Sequence, residues 1–471
     1  MLFSSFSFLF WFLPAVLTAY FLPPWLFRVF SKKRCQTGQL LWQNGVLLLF
    51  SLLFYAWGEP LYLFLMLTTI TVNFLLGLWL SRARKKRAVL WLAVFFNIGL
   101  LFYFKYASFF LSLIGVYLAP PHLPLGISFY TFQALSYVAD VYFGTTRAEK
   151  SPLRFATYVT LFPQLVAGPI VRYDEVASEL KSRTVPLPFV AAGARRFIAG
   201  LAKKVLVANV AGELFHTLLR GGAPAALGAW VALVAFSLQI YFDFSGYSDM
   251  AIGLGAIFGF RFPENFNYPY TATSIRDFWR RWHITLSSFF KTYVYIPLGG
   301  SRNGVFRTVM ALFVVWSLTG LWHGATFNFL LWGIYYFVLL VIERFLLREK
   351  REKLPLPARH ALTLLGILFG WLIFAFDGTA PYLTLGSLPR FLFSLFGASG
   401  AIAGNELYEC LRHLPFLLIA ALGATPLPRL AFEKLSARFP LLSLLLPPAA
   451  LLLSLAALSG ASFQPFLYFR F

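Results

Sequence analysis

The sequence has few of the charged residues on which soluble proteins depend. Only 12% of its 471 residues are charged, and 18 acidic residues stand against 40 Lys and Arg. Soluble domains carry about 25% charged residues. Hydrophobic residues make up 59% of the chain and occur in repeated long runs. This composition excludes a soluble globular protein and predicts an all-α, polytopic membrane protein.

Cysteine and the common catalytic motifs are also scarce. The two cysteines, Cys35 and Cys410, lie far apart in the chain, so neither a disulfide framework nor a metal site is expected. The sequence contains no Gly-x-Ser-x-Gly, Walker A, His-Glu-x-x-His or Cys-x-x-Cys pattern. Their absence excludes the usual serine hydrolases, nucleoside triphosphatases and zinc enzymes.

The net charge of +22 does not indicate a nucleic-acid partner. The basic residues cluster at the ends of apolar runs, as in Ser31–Arg34, Arg82–Arg87 and Arg344–Lys353. Such placement is typical of the cytoplasmic loops of membrane proteins, whereas nucleic-acid binding would need a folded polar domain. We therefore expect these loops in the cytoplasm and the N-terminus outside, with the apolar run from Leu2 to Phe27 retained as a helix.

The apolar runs predict about 11 transmembrane helices plus one or two re-entrant or interfacial helices. Spans are expected near 88–118 and 125–143, and a doubtful one near 386–397. The piece from Tyr158 to Ile170 is too short for ~30 Å of hydrocarbon and predicts a re-entrant or interfacial segment. The run 226–260 predicts one span with a bent continuation, with its polar residues 243–249 at the bend.

A charge-free run from Thr308 to Ile342 must contain a helix break. A single helix of that length would measure ~52 Å, well beyond the bilayer core. The break is expected between Gly320 and Gly324, which places His323 at a helix interruption within the membrane. Freed backbone groups there require a protein-lined or wet cavity.

The segment 276–291 is too polar for a lipid-exposed span. On one helix, Arg276, Arg280 and His283 would share a face, and Asp277 and Arg281 would form an i, i+4 ion pair. A helix of this kind lies at the membrane interface or lines a water-filled cavity.

Each candidate residue has a structural interpretation beside a functional one. His323 could be a packed core histidine, but the cost of burying an imidazole in apolar sequence favours a functional role. For His283 both interpretations stay open. The arginines could bind lipid phosphates or the phosphates of an acyl donor, and Asp243 could be a charge partner or line a substrate path.

Five motifs in order resemble the membrane-bound O-acyltransferase family. Two of them, Tyr241–Met250 and Phe162–Pro169, resemble its bacterial alginate O-acetyltransferase branch in particular. The other three are Arg276-Asp-Phe-Trp-Arg-Arg-Trp-His283, Tyr295-Ile-Pro-Leu-Gly-Gly-Ser-Arg302 and Leu321-Trp-His-Gly324. The resemblance implies one integral-membrane domain over residues 1–471, with a motif-bearing core at about 120–345 and helices around a central tunnel.

The resemblance also implies a reaction. His323 takes the position of the family's signature histidine and His283 that of the second histidine, so both are expected to be catalytic. Acetyl-CoA or an acyl carrier is the expected donor, with no bound cofactor and no metal. The acceptor is an extracytoplasmic hydroxyl, served by a separate acetyltransferase partner protein acting on an alginate-like exopolysaccharide at the bacterial inner membrane. The residues expected to bind substrate or donor are Arg276, Arg280, Arg281, Trp282, Asp243 and Trp322.

Alternatives remain open at this point. D-Alanyl transfer to teichoic acid and O-acetylation of peptidoglycan use the same skeleton. A non-catalytic lipid or sugar transporter would also hold intramembrane charges, although the ionisable cluster here is confined to about 243–323 and has no counterpart in the first half. A scaffold for an export complex would leave the cost of burying His323 unexplained.

Overall fold

The computed structural model describes residues 1–30, 36–166, 168–347, 353–460 and 466–467. Helices joined by loops make up these residues, and no β-strand occurs among them. The all-α prediction is confirmed. The chain packs as two compact units, which are described separately.

The first unit comprises Met1–Phe197 and Tyr247–Glu264. In its basic loop at 147–154, the buried Glu149 carboxylate accepts hydrogen bonds from Arg154 and Tyr173 at 2.6 and 2.5 Å. The helices that begin in this unit are α1 (Leu13–Phe30), α2 (Gln36–Ala56), α3 (Tyr62–Arg82), α4 (Lys86–Leu101), α5 (Ala107–Ser112), α6 (Ile127–Phe143), α7 (Pro152–Thr160), α8 (Phe162–Leu165), α9 (Tyr173–Lys181) and α10 (Leu187–Ala202).

The second unit comprises Ile198–Gly246 and the described residues from Asn265 onward. A π-helical turn, Lys203–Ala208, precedes its first helix, and another, Ile342–Leu346, extends the helix Phe327–Val341. The helices that begin in this unit are α11 (Asn209–Leu219), α12 (Ala226–Ile257), α13 (Ile275–Arg281), α14 (Ile284–Phe290), α15 (Gly304–His323), α16 (Phe327–Val341), α17 (Leu356–Ala375), α18 (Leu388–Ser394), α19 (Gly404–Gly423), α20 (Leu427–Arg438) and α21 (Pro440–Gly460).

Eight helices in the described residues are long and apolar enough to cross a bilayer, or nine if the bent pair α19 and α20 counts as one span. The protein is therefore a multi-pass membrane protein, and the predicted number of eleven spans is not confirmed. Two predicted spans fall on shorter helices: 125–143 coincides with the 17-residue α6, and 386–397 with the seven-residue α18. The candidate spans are Gly38–Ala56, Tyr62–Arg82, Lys86–Ser112, Ala226–Ile257, Gly304–His323, Phe327–Leu346, Leu356–Ala375 and Pro440–Gly460.

The polar patch of α12 lies within one continuous α-helix, and the bent continuation predicted there is not observed. Asp243 in this patch is buried, and its carboxylate is engaged on both oxygens. Lys204 Nζ lies 2.5 Å from Oδ1, and the backbone N–H of Leu467 donates to Oδ2 at 2.7 Å. Such pairing removes the main cost of placing a carboxylate inside an apolar span.

The break predicted between Gly320 and Gly324 is confirmed, because α15 ends at His323 and α16 begins at Phe327. The two helices form an antiparallel hairpin whose backbones touch at glycines. A Cβ added to Gly333 would overlap the carbonyl oxygen of Trp316, and one added to Gly320 would overlap that of Phe329. Small residues at such a crossing allow close helix packing in membranes.

We expect the Gly333→Ala variant to be destabilised by about 1–3 kcal/mol, because the added methyl group must push α15 and α16 apart. The measurement is the thermal unfolding midpoint of the purified protein in nanodiscs. Gly99→Ala is the matched control, since a Cβ at Gly99 meets nothing within 4 Å. A Gly333→Ala protein as stable as the control would contradict the close crossing.

Candidate active site

The segment 276–291 folds as two short helices, and not as the single helix predicted from its spacing. Helix α13 ends at Arg281, and α14 begins at Ile284. Between them His283 adopts the left-handed backbone conformation, with φ +42°. This conformation is uncommon for residues other than glycine and is typical of functional sites. The predicted ion pair is confirmed, with Arg281 Nε 3.0 Å from Asp277 Oδ1.

The break between α13 and α14 is held by the loop that precedes α13. The carbonyl of Asn265 accepts a hydrogen bond from the N–H of Ile284 at 3.0 Å, and the N–H of Asn267 donates to the carbonyl of Arg281 at 2.9 Å. The side chain of Asn265 contacts the same turn: its Oδ1 lies 3.0 Å from His283 Nδ1. These bonds replace the helical hydrogen bonds that the turn lacks.

Both histidines line one cavity of about 620 Å³ in the second unit. Helix α15 contributes one face to its wall, from Leu312 through Thr319 to His323. The distance from Leu312 to His323 corresponds to about 16 Å of helix at 1.5 Å per residue. Although the helix breaks, Arg276, Arg280 and His283 all face this cavity, as their predicted common face required.

One end of the cavity is cationic and exposed. Four basic side chains line it, and each is exposed: Arg276, Arg280, Lys291 and Arg344. Burial and the neighbouring guanidinium groups of Arg280 and Arg344 lower the pKa of Arg276. Like charges gathered in this way favour the binding of an anion.

Glu343, on the π-helical extension of α16, links that extension to the start of α13 at this rim. Its carboxylate accepts hydrogen bonds from the backbone N–H groups of Ile275 and Arg276, at 2.7 and 3.3 Å. These are N–H groups of the first turn of α13, which have no partner within the helix. A carboxylate at a helix N-terminus is also favoured by the helix dipole. Glu343 thereby fixes α13 against the end of α16.

The other end of the cavity is buried and aromatic. His283 is 1% exposed and His323 is 3% exposed. The indole of Trp322 packs against both histidines, with ring centres 5.6 Å from His283 and 4.9 Å from His323. The rings of Trp332 and Phe374 also pack against His323, at 4.9 and 5.2 Å.

Burial lowers the pKa of His283 to about 3. The imidazole is therefore neutral at physiological pH, with one nitrogen that carries a hydrogen and one that carries a lone pair. A neutral histidine is the form that can accept a proton from a hydroxyl group.

The remaining predicted residues lie at different distances from the cavity. Trp282 lines it, whereas Trp322 is not among the lining residues and packs against both histidines. Arg281 is not among the lining residues, and its guanidinium pairs with Asp277. Asp243 is not among them either and is engaged with Lys204.

Sequence reasoning missed Asn265 and the rim residues Glu343 and Arg344. The sequence predicts Arg344 only as the start of the basic loop Arg344–Lys353 and assigns no role to Glu343, and only the fold brings these two residues next to α13. Asn265 had no signal at all, because its contact with His283 crosses 18 positions of irregular chain. Within the described ranges, no group of three His, Cys, Asp or Glu residues is arranged to hold a metal ion.

The pKa of His283 predicts a loss of stability in acid. The unfolded chain binds a proton at this residue below about pH 6.5, whereas the folded protein binds it only near its pKa of about 3. Protons therefore favour unfolding between these values, by up to about 1.4 kcal/mol per pH unit. We expect His283→Asn, whose side chain tolerates the left-handed backbone, to show a weaker fall of the unfolding midpoint between about pH 6 and pH 4.

Ser288→Ala on the exposed surface of α14 provides the control, because it changes no ionisable group. This variant should keep the pH dependence of the wild type. Identical pH dependence in all three proteins would contradict a neutral, buried His283.

Comparison with known proteins gives a consistent result. Residues 145–380 match the membrane-bound O-acyltransferase family. The protein named probable alginate O-acetylase AlgI of Pseudomonas aeruginosa is 40% identical over 388 residues, which cover 79% of this chain and 72% of the relative. A peptidoglycan O-acetyltransferase of Helicobacter pylori is 36% identical over 381 residues, or 73% of this chain and 70% of the relative.

A third relative, the teichoic acid D-alanyltransferase of Bacillus subtilis, is 28% identical over 283 residues, or 54% of this chain and 70% of the relative. The three relatives transfer different acyl groups or use different acceptors, and their names agree on acyl transfer. With the matched segment covering half of the sequence and extensive identity to the first relatives, the chain belongs to the membrane-bound O-acyltransferase family and is an O-acyltransferase.

Proposed function

We propose that this protein passes an acetyl group from a cytoplasmic donor across the bacterial inner membrane to a hydroxyl group used in the O-acetylation of an alginate-like exopolysaccharide. One observation carries the proposal: a single cavity has four exposed cations at one end and two buried histidines at the other. This arrangement suits a donor with an anionic head and a reactive group on a long arm.

The donor that fits this shape is acetyl-coenzyme A or a related phosphopantetheine thioester. The rim cations would bind its phosphates through charge-assisted hydrogen bonds, and Trp282 would border the arm. The basic sequence after Glu343 supports a cytoplasmic position for this rim, by the positive-inside rule. With the phosphates at the rim, a depth of about 16 Å along α15 would allow the arm to carry the thioester toward His323.

The transfer step needs a general base at the inner end. His323 would accept the proton of the acceptor hydroxyl while its oxygen attacks the thioester carbonyl carbon. The carbon–sulfur bond then breaks, and the departing thiolate takes the proton from the imidazolium, so that atoms and charges balance. His283 would hold the reacting groups beside Trp322, and the aromatic surroundings of His323 would exclude water.

The proposal that the acceptor is a polysaccharide is based on the names of the related proteins. The first relatives are named for alginate O-acetylation, at higher identity and coverage than the teichoic acid enzyme. In this proposal a separate extracytoplasmic acetyltransferase receives the group and modifies the polysaccharide. Acetylation of peptidoglycan or D-alanyl transfer would use the same cavity with another acceptor or donor.

We expect His323→Ala to lower the rate of acetyl transfer by about 10²–10⁴-fold, the usual loss for a general base. The measurement is release of free thiol from acetyl-coenzyme A by the purified protein in nanodiscs. His122→Ala, which removes an exposed histidine of the first unit, is the control and should keep wild-type activity.

Full activity in a stable His323→Ala protein would overturn the role of this residue. If neither wild type nor variant releases thiol when polysaccharide acceptor and partner are supplied, a carrier-protein donor or transport without chemistry becomes the better explanation.

Removal of a rim cation should weaken donor binding more than chemistry. We expect Arg280→Ala to raise KM for acetyl-coenzyme A about tenfold or more and to change kcat little, because Arg280 lies at the exposed end of the cavity. Arg281→Ala is the matched control, since Arg281 neighbours Arg280 in the chain but pairs with Asp277.

The dependence of KM on salt concentration is a second test of the role of Arg280. KM of the wild type should rise with ionic strength more steeply than KM of Arg280→Ala, because salt screens the rim charges. Equal KM values for Arg280→Ala and Arg281→Ala would show that the donor's phosphates bind elsewhere.

A further inference from the structure

The environment of His283 contains a side chain that the proposed reaction has not yet used. Asn265 is 1% exposed and lies in the loop before α13. Its Oδ1 lies within hydrogen-bond distance of three atoms. These are Thr285 Oγ1 at 2.9 Å, the Thr285 backbone nitrogen at 3.4 Å and His283 Nδ1 at 3.0 Å. A buried amide oxygen with these neighbours is well satisfied.

The backbone N–H of Thr285 fixes which atom of the amide faces this turn. An N–H group can only donate, so the atom opposite it must be the amide oxygen and not the NH₂ group. The amide oxygen in turn can only accept. The short contact with His283 is therefore a hydrogen bond in which Nδ1–H of the imidazole donates to Asn265 Oδ1.

We propose that Asn265 is a positioning residue that fixes the tautomer of His283, with the hydrogen on Nδ1 and the lone pair on Nε2. The ring then presents Nε2 as a hydrogen-bond and proton acceptor. The catalytic role of this tautomer rests on the proposed function. The tautomer itself is a property of the folded protein and can be measured without any reaction.

Packing around the ring supports this assignment. The edge of Phe244 contacts the imidazole at 4.6 Å between ring centres, and Trp322 contacts it at 5.6 Å. The ring is thus held from two sides, and the bond to Asn265 decides which nitrogen carries the hydrogen. A partner on the second nitrogen commonly orients a functional histidine in this way.

The ionisable groups on the elements packed around His283 can be named. They are His323 on α15, Asp243 on α12, Lys291 after α14, and Arg276, Asp277, Arg280 and Arg281 on α13. Asp243 is paired with Lys204 and Asp277 with Arg281, whereas Arg276, Arg280 and Lys291 are at the exposed rim. A carboxylate introduced at position 265 would therefore be the acidic group directly on the imidazole Nδ1.

Two variants test the inference through activity. Asn265→Leu removes the acceptor, and we expect acetyl transfer to fall about 10- to 100-fold at every pH, as for other partners of functional histidines. Asn265→Asp keeps an acceptor but favours the charged imidazolium. The activity of Asn265→Asp should therefore fall at mildly acidic pH and recover at alkaline pH, where the wild type shows no such change from His283.

Thr285→Val is the matched control. It removes a hydroxyl donor to the same oxygen without touching the imidazole, and it should stay within about threefold of the wild type. If Asn265→Leu and Thr285→Val lose activity in parallel with their unfolding midpoints, Asn265 has only a structural role. An unshifted pH profile for Asn265→Asp would overturn the proposal in the same way.

A spectroscopic measurement separates this inference from the proposed function. The full-length protein is labelled with ¹⁵N-histidine in nanodiscs, and the resonances of His283 are identified by their loss in His283→Asn. We expect a protonated Nδ1 and an unprotonated Nε2 in the wild type, and loss of this single tautomer in Asn265→Leu. A wild-type protein protonated on Nε2 would overturn the inference whether or not acetyl transfer is observed.

Discussion

The cost of removing charge from water governs where ionisable groups lie in this protein. Within an apolar chain, a charged side chain must be paired, face a polar cavity or reach the membrane surface. Asp243 takes the first solution with Lys204, and Arg276 and Arg280 take the second at the cavity rim. The two histidines follow a different course, because they can be buried in the neutral state. Both the site and its supporting contacts follow from this constraint.

A histidine that is buried without charge can act as a proton acceptor in the proposed reaction. An imidazole without charge keeps a lone pair for a proton, and an aromatic enclosure keeps bulk water from competing for it. The same enclosure makes the orientation of each imidazole important, because no water molecule can relay a proton to a ring nitrogen that faces the wrong way. In the proposed mechanism, Asn265 and Trp322 would therefore orient the ring of His283, which they contact in the structure.

Features limited by length or local charge could be predicted from the sequence. The all-α class and the break before Gly324 follow from hydropathy and from the thickness of a bilayer, and the Asp277–Arg281 pair follows from helical spacing. The number of spans could not be fixed, since a largely buried helix such as α6 also appears in the sequence as an apolar run of nearly spanning length.

Features that depend on contacts between distant segments could not be predicted. The turn at His283 is set by Asn265, and helical periodicity alone gave one continuous helix there. Asp243 was equally ambiguous, because only the fold shows that Lys204 and the Leu467 N–H occupy its carboxylate. The roles of His323 and His283 remain a proposal that rests on their shared cavity.

The link that Glu343 makes between α13 and the end of α16 limits how the cavity can admit a molecule. Widening the entrance by swinging α13 outward would strip a carboxylate from two N–H groups, and each hydrogen bond to a charged group is worth about 1.5–3 kcal/mol. An entrance with one wall held by these hydrogen bonds favours a slender molecule that enters with one end first. The bulky end of such a molecule would stay outside the entrance. In the proposed reaction, the used donor would then leave and the next donor would enter by sliding along the cavity, without an opening movement of α13.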